Sequence, residues 1–162
     1  MKNLILISLA AFLFSCVSSN DPEPTPVLSG FISESESIGE KVRPGVYEPV
    51  NQSIYYSEYS GNLLIVFNTI SNAVEKRINV GSAPERPAYD KNQRLMYVSA
   101  SGQGRLSIVS TVSNTLIGQI KISDPRAPIY CNSNKNVYVP CLTENQVIVV
   151  NSLTNLISDT LY

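Results

Sequence analysis

The chain has 162 residues, a length that suits one domain, with 12 basic against 13 acidic groups and a formal net charge of −1. That balance removes the electrostatic case for nucleic acid or an anionic membrane surface as partner. Histidine is absent, which excludes a Ser-His-Asp triad, a Cys-His pair and any His-ligated metal or haem within the chain.

The first element is an address. Lys2 supplies a positive start, and residues 4–14 form an apolar run too short to span a bilayer as a helix but suited to a signal-peptide core. The run ends in Leu13-Phe14-Ser15-Cys16, which resembles a bacterial lipobox. The resemblance implies cleavage before Cys16, leaving residues 1–15 as a signal peptide and Cys16 as the lipidated residue. An ordinary secretory signal carrying a chance cysteine is the alternative. The sequence after Cys16 favours the lipoprotein: residues 17–26 are polar, proline-rich and free of aromatics, so residues 16–30 are expected to be the lipidated Cys and a disordered tether. Two or three acyl chains hold a protein firmly where one would not. Val17 lacks the aspartate that retains many lipoproteins at the inner membrane, so the expectation is an envelope protein on the outer membrane, periplasmic or surface-exposed. Residues 31–42, with Ile32 and Ile38 as apolar points, are expected to add a strand from a neighbouring blade.

From residue 46 a unit of about 41 residues recurs three times. Tyr47, Tyr89 and Tyr130 each stand eight positions before Tyr55, Tyr97 and Tyr138. Thr69-Ile70-Ser71-Asn72 returns as Thr111-Val112-Ser113-Asn114 and then as Ser152-Leu153-Thr154-Asn155. Within the second unit, short strand-like runs at 88–90, 95–99, 106–110 and 115–122 are separated by turn residues. The last run alternates, with Leu116, Gly118, Ile120 and Ile122 expected on one face. Past the signal peptide, no window carries a helical period. Four strands at this period read as one blade of a β-propeller, so the fold class is all-β: about three blades, at residues 46–86, 87–127 and 128–162, within a region 31–162.

The units resemble the YVTN family of β-propeller repeats. Met96-Tyr97-Val98-Ser99 and Val137-Tyr138-Val139-Pro140 match the name-giving strand, and Ile78-Asn79-Val80-Gly81-Ser82-Ala83-Pro84 matches the run that joins blades. The resemblance implies that the first strand of each blade lines a central channel, with the loops before it forming one face. Arg43, Arg86 and Arg126 recur at the entry to that strand and could present guanidinium groups to a carboxylate or phosphate. The competing reading pairs them with Glu85, Asp124 or other carboxylates as solvated salt bridges. Tyr89, Tyr97, Tyr130 and Tyr138 are expected to pack between blades, whereas Tyr55, Tyr56 and Tyr59 cluster near a strand-to-loop junction and are the aromatic candidates for a ligand.

Three blades fall short of the four to eight of a closed ring. The expectation is therefore either a piece of a longer protein or self-association through open blade edges. A hairpin turn at Asn134-Lys135 would place Cys131 opposite Tyr138, about 10 Å from Cys141 along the strand. That is beyond the roughly 7 Å between Cα atoms that a disulfide allows, so both cysteines are expected to be unpaired. The function expected is a non-catalytic, lipid-anchored binding module for a protein, glycan or small molecule, with no cofactor, no metal and no catalytic residue. The alternatives are a fragment of a lactonase-like or quinoprotein-like propeller enzyme and a structural adhesion array. An enzyme would want a repeating acidic set on the channel strands, and those positions offer Glu48 and Asp90 but Cys131.

Overall fold

The computed structural model describes residues 37–162, which form three antiparallel sheets of four strands each. The first blade holds β1 (Val46–Glu48), β2 (Ser53–Glu58), β3 (Leu63–Asn68) and β4 (Ala73–Asn79). The second holds β5 (Ala88–Asp90), β6 (Leu95–Ala100), β7 (Arg105–Ser110) and β8 (Thr115–Lys121). The third holds β9 (Ile129–Cys131), β10 (Asn136–Cys141), β11 (Gln146–Asn151) and β12 (Leu156–Leu161). Each sheet is a simple meander in chain order. The first strands β1, β5 and β9 approach one another. They have three residues each where the fourth strands have six or seven, so the blades are narrow at the inner edge and wide at the rim. This is the blade architecture of a β-propeller.

The repeat is written in the backbone. Left-handed φ angles fall at matching places in every blade: Gln52, Arg94 and Lys135 after the first strand; Asn62, Gly104 and Asn145 after the second; Asn72, Asn114 and Asn155 after the third. Asparagine and glycine tolerate this conformation best, which is why they stand at two of the three turns. Asn68 and Asn151 reinforce the third turn by accepting two backbone N–H bonds each, from Ile70 and Ser71 and from Leu153 and Thr154.

Two apolar clusters fill the spaces between blades. One joins Tyr55, Leu64, Val66, Ile78 and Val80 to Met96, Val98 and Val109. The other joins Leu95, Tyr97, Leu106, Ile108 and Ile122 to Val137, Val139, Cys141, Ile148 and Val150. The central blade is covered on both sides, so every residue of β6 is buried, while β2 and β10 alternate buried with half-buried.

Two expectations need correction, and a third falls largely outside the described residues. A bulge between Ile108 and Val109 breaks the alternation of β8: Gly118 opposes Ile108, but Leu116 opposes Val109 and so lies on the other face from Gly118 and Ile120. The third blade's first hairpin turns over residues 132–135, which sets Cys131 opposite Asn136, further from Cys141 than a turn at Asn134-Lys135 would place it. Both described cysteines are free. Much of the segment 31–42 lies outside the described residues. Its last residue, Val42, bridges Glu58 of the first blade, as Pro84 bridges Ala100 and Pro125 bridges Cys141, so it leads into its own blade.

Candidate ligand-binding face

The chain enters each first strand over the mouth of the inner edge, and backbone hydrogen bonds define which entry residues are equivalent. The N–H of Arg43 donates to Ser57 O, that of Glu85 to Ser99 O and that of Arg126 to Pro140 O, each at 2.8 Å. The position therefore reads Arg, Glu, Arg, and Arg86 stands one residue out of step, matching Pro44 and Ala127. The expected row of three equivalent arginines does not form. Glu85 sits between its neighbours, 3.9 Å from Arg43 Nη2 and 3.8 Å from Arg126 Nη1. Arg126 also reaches Asp124 at 3.0 Å. The Thr143 hydroxyl, then the Arg126 guanidinium, hold the Asp124 carboxyl below the usual carboxylate range. With both arginine side chains more than 40% exposed, these are solvated pairs, and the two to Glu85 are worth about 0–1 kcal/mol each.

The tyrosines also part company. Tyr55 is fully buried, and its hydroxyl donates to Asn114 Oδ1 of the next blade at 2.6 Å. It is an inter-blade packing residue, and burial pushes its phenol up to about 12. Tyr56 is half-buried on the opposite face of β2. Tyr59 alone is exposed at the mouth, where Arg43 stacks over its ring at 5.1 Å. Tyr97 repeats the arrangement of Tyr55 and donates to Asn155 Oδ1 at 2.7 Å. Tyr89 and Tyr130 pack against the two clusters, and Tyr138 is half-buried.

The acidic positions at the ends of the first strands are buried in turns. Glu48 is fully buried, accepts the N–H groups of Val50 and Asn51, and receives the Tyr89 hydroxyl at 2.7 Å, with Arg94 at 3.8 Å. Burial, then the hydrogen bond to Glu48, pushes Tyr89 up to about 12. Asp90, also fully buried, accepts from Asn92 and Gln93 N–H through Oδ1, while its Oδ2 is buried without a hydrogen-bond partner among the described residues. In the third blade Cys131 takes this place, 3.1 Å from the Ser133 hydroxyl, a contact that lowers its thiol pKa. Both carboxylates thus close turns, and Glu48 also ties the first blade to the second. The series Glu48, Asp90, Cys131 is visible in the sequence, whereas Arg94 lies in the polar first turn and reaches Glu48 and Asn51 only once two blades are stacked.

What remains open is a cavity of about 440 Å³ against the first strands, lined by Val46, Arg86, Ala88, Tyr89, Ile129 and Tyr130 among others. Arg86 is exposed and makes no ion pair among the described residues. No cluster of three metal-ligating side chains occurs there or elsewhere among the described residues, and no described helix is long and apolar enough to cross a membrane.

No family model and no curated protein matches this sequence. Solved structures match its fold. The hydrazine synthase of Kuenenia stuttgartiensis aligns at a TM-score of 0.66 and 20% identity over 72% of this chain and 34% of that one. Saccharomyces cerevisiae Sqt1 aligns at 0.63 and 13% identity, covering 74% and 36%. The WD40 repeats of RRP9 align at 0.65 and 13% identity, covering 75% and 38%. The chain spans little more than a third of the length of these structures. At such identities the likeness concerns the propeller fold alone.

Proposed function

We propose that this chain is a lipid-anchored β-propeller module of the cell envelope, of the YVTN repeat type, that binds a carboxylate-bearing ligand without catalysis. The observation that carries the reading is Arg86: an exposed guanidinium with no ion pair among the described residues, beside a concave surface of tyrosine, valine and isoleucine. A cavity of that size with few polar groups and one strong directional donor suits a small acidic molecule or an acidic chain end. Of the acids near the site, Glu48 and Asp90 are both fully buried and both cap their own turns. Anchoring rests on Leu13-Phe14-Ser15-Cys16 and the proline-rich tether after it; the outer membrane is the proposed location.

The experiment compares wild type with Arg86→Gln for binding of a galacturonate oligosaccharide and a polyglutamate peptide. Binding of either probe that falls at least tenfold in the variant supports the site. Binding of neither, or equal binding by both proteins, sinks it. Separately, Cys16→Ser should abolish palmitate labelling and release the chain from membranes.

A further inference from the structure

Each junction between blades is built from the same parts. The second-strand tyrosine of one blade donates to the third-turn asparagine of the next, as Tyr55 does to Asn114 and Tyr97 to Asn155. The first-strand tyrosine of the next blade packs back on the junction, as Tyr89 does on Glu48. Where a junction exists these groups are covered: Tyr55 and Tyr97 are fully buried, and Asn114, Asn155, Tyr89 and Tyr130 are half-buried.

The outer faces of the first and third blades carry the same parts uncovered, in complementary halves. On the third blade Tyr138 stands where Tyr55 and Tyr97 stand, but its hydroxyl has only Asn134 of its own turn as partner. Beside it Pro140, Val147, Leu161 and Tyr162 line an apolar groove of about 320 Å³. On the first blade Asn72 keeps the left-handed turn of Asn114 and Asn155 yet is exposed, and Tyr47, the counterpart of Tyr89 and Tyr130, is 51% exposed. At the mouth Asp124, whose backbone oxygen holds the place that Lys41 O holds in the first blade, offers an acid at the level of Lys41, while Arg126 holds the place of Glu85 and stands at the level of Arg43.

We infer that the third blade docks on the first blade of a second copy of this chain, head to tail, pairing Tyr138 with Asn72. Two such contacts close a ring of six blades, within the range that closed propellers adopt, and a closed ring avoids the open-ended filament that head-to-tail contacts otherwise make. The commitment to a second copy follows from the first blade itself, which supplies the required asparagine and tyrosine in place and sets Lys41 at the level of Asp124.

The test is native mass spectrometry and sedimentation of the full chain in detergent, with Asn72→Gly, which removes the amide but keeps the turn, and Tyr138→Phe. A two-chain species is expected. Loss of the hydrogen bond weakens each junction about fivefold, and the junction occurs twice, so either variant should weaken the dimer about 25-fold. The double variant should be no worse than the single ones, and circular dichroism should show an unchanged strand spectrum in all. A one-chain species at tens of micromolar, an open ladder of larger species, or variants that dimerise as wild type would each overturn the inference. So would a native polypeptide massive enough to cover the face with further blades of its own.

Discussion

Replacing Tyr97 by phenylalanine isolates one inter-blade hydrogen bond, because the ring and its packing stay while the hydroxyl goes. Tyr97 is fully buried between the second and third blades and donates to Asn155 Oδ1 at 2.7 Å. A neutral hydrogen bond of this kind contributes about 1 kcal/mol net, and up to about 3 when the abandoned partner stays buried and dry. Asn155 is only half-buried, so water can take up its carbonyl, and the lower figure applies. With roughly 125 folded residues and about 2.1 cal/mol/K of unfolding entropy per residue, 1 kcal/mol lowers the melting temperature by about 4 °C. The assay is thermal and urea unfolding followed by circular dichroism, for Tyr97→Phe, Asn155→Gly and the double variant. Coupling of about 0.5–1 kcal/mol between the two positions is expected. Additive effects, or a Tyr97→Phe protein as stable as wild type, would refute the claim that this bond ties the blades.

Two further outcomes follow from the buried polar groups. Glu48→Ala should cost about 3 kcal/mol in urea unfolding, because it strips the Tyr89 hydroxyl, the Arg94 guanidinium and two turn N–H groups of a common acceptor; Glu48→Gln, which keeps an acceptor oxygen, should cost less. Alkaline pH should loosen the fold: Tyr55 and Tyr89 are pushed up to about 12, by burial first, and burial raises Tyr97 as well. The unfolded chain begins to lose phenol protons near pH 10 while the folded chain holds them, so stability is full below about pH 10 and falls as pH rises towards 12. Phenolate absorbance that rises only with unfolding would bear this out; free titration of every tyrosine near pH 10 in folded protein would not.

The all-β class, the four-stranded blade and the strands of the second unit could be read from the chain because they depend on local chemistry. Asn72, Asn114 and Asn155 mark left-handed turns by residue type, and alternating apolar runs mark the strands between them. The contacts that turn three hairpin stacks into one body were not legible. Tyr55 reaches Asn114 and Tyr97 reaches Asn155 across nearly sixty residues, and nothing in either segment announces the partner. Tyr55 accordingly looked like a surface aromatic and proved to be core. Leu116 was set on the wrong face because a bulge adds one residue to a strand without leaving a mark in its composition.

The mouth carries the more general lesson. Aligning by residue type makes Arg43, Arg86 and Arg126 a set; aligning by backbone hydrogen bonds makes the set Arg43, Glu85 and Arg126. The second alignment decides the chemistry. Residues that obey the repeat meet their counterparts around the mouth, so charges there are neutralised in pairs, as Glu85 does for both its neighbours. A residue that departs from the repeat has no counterpart to meet, and Arg86, standing where the other blades carry Pro44 and Ala127, keeps its charge available. In a scaffold built by repetition, the positions that obey the repeat build the ring, and an unpaired charge is most readily left where the repeat is broken. That is the physical reason for proposing the ligand at Arg86 and not at Arg43 or Arg126.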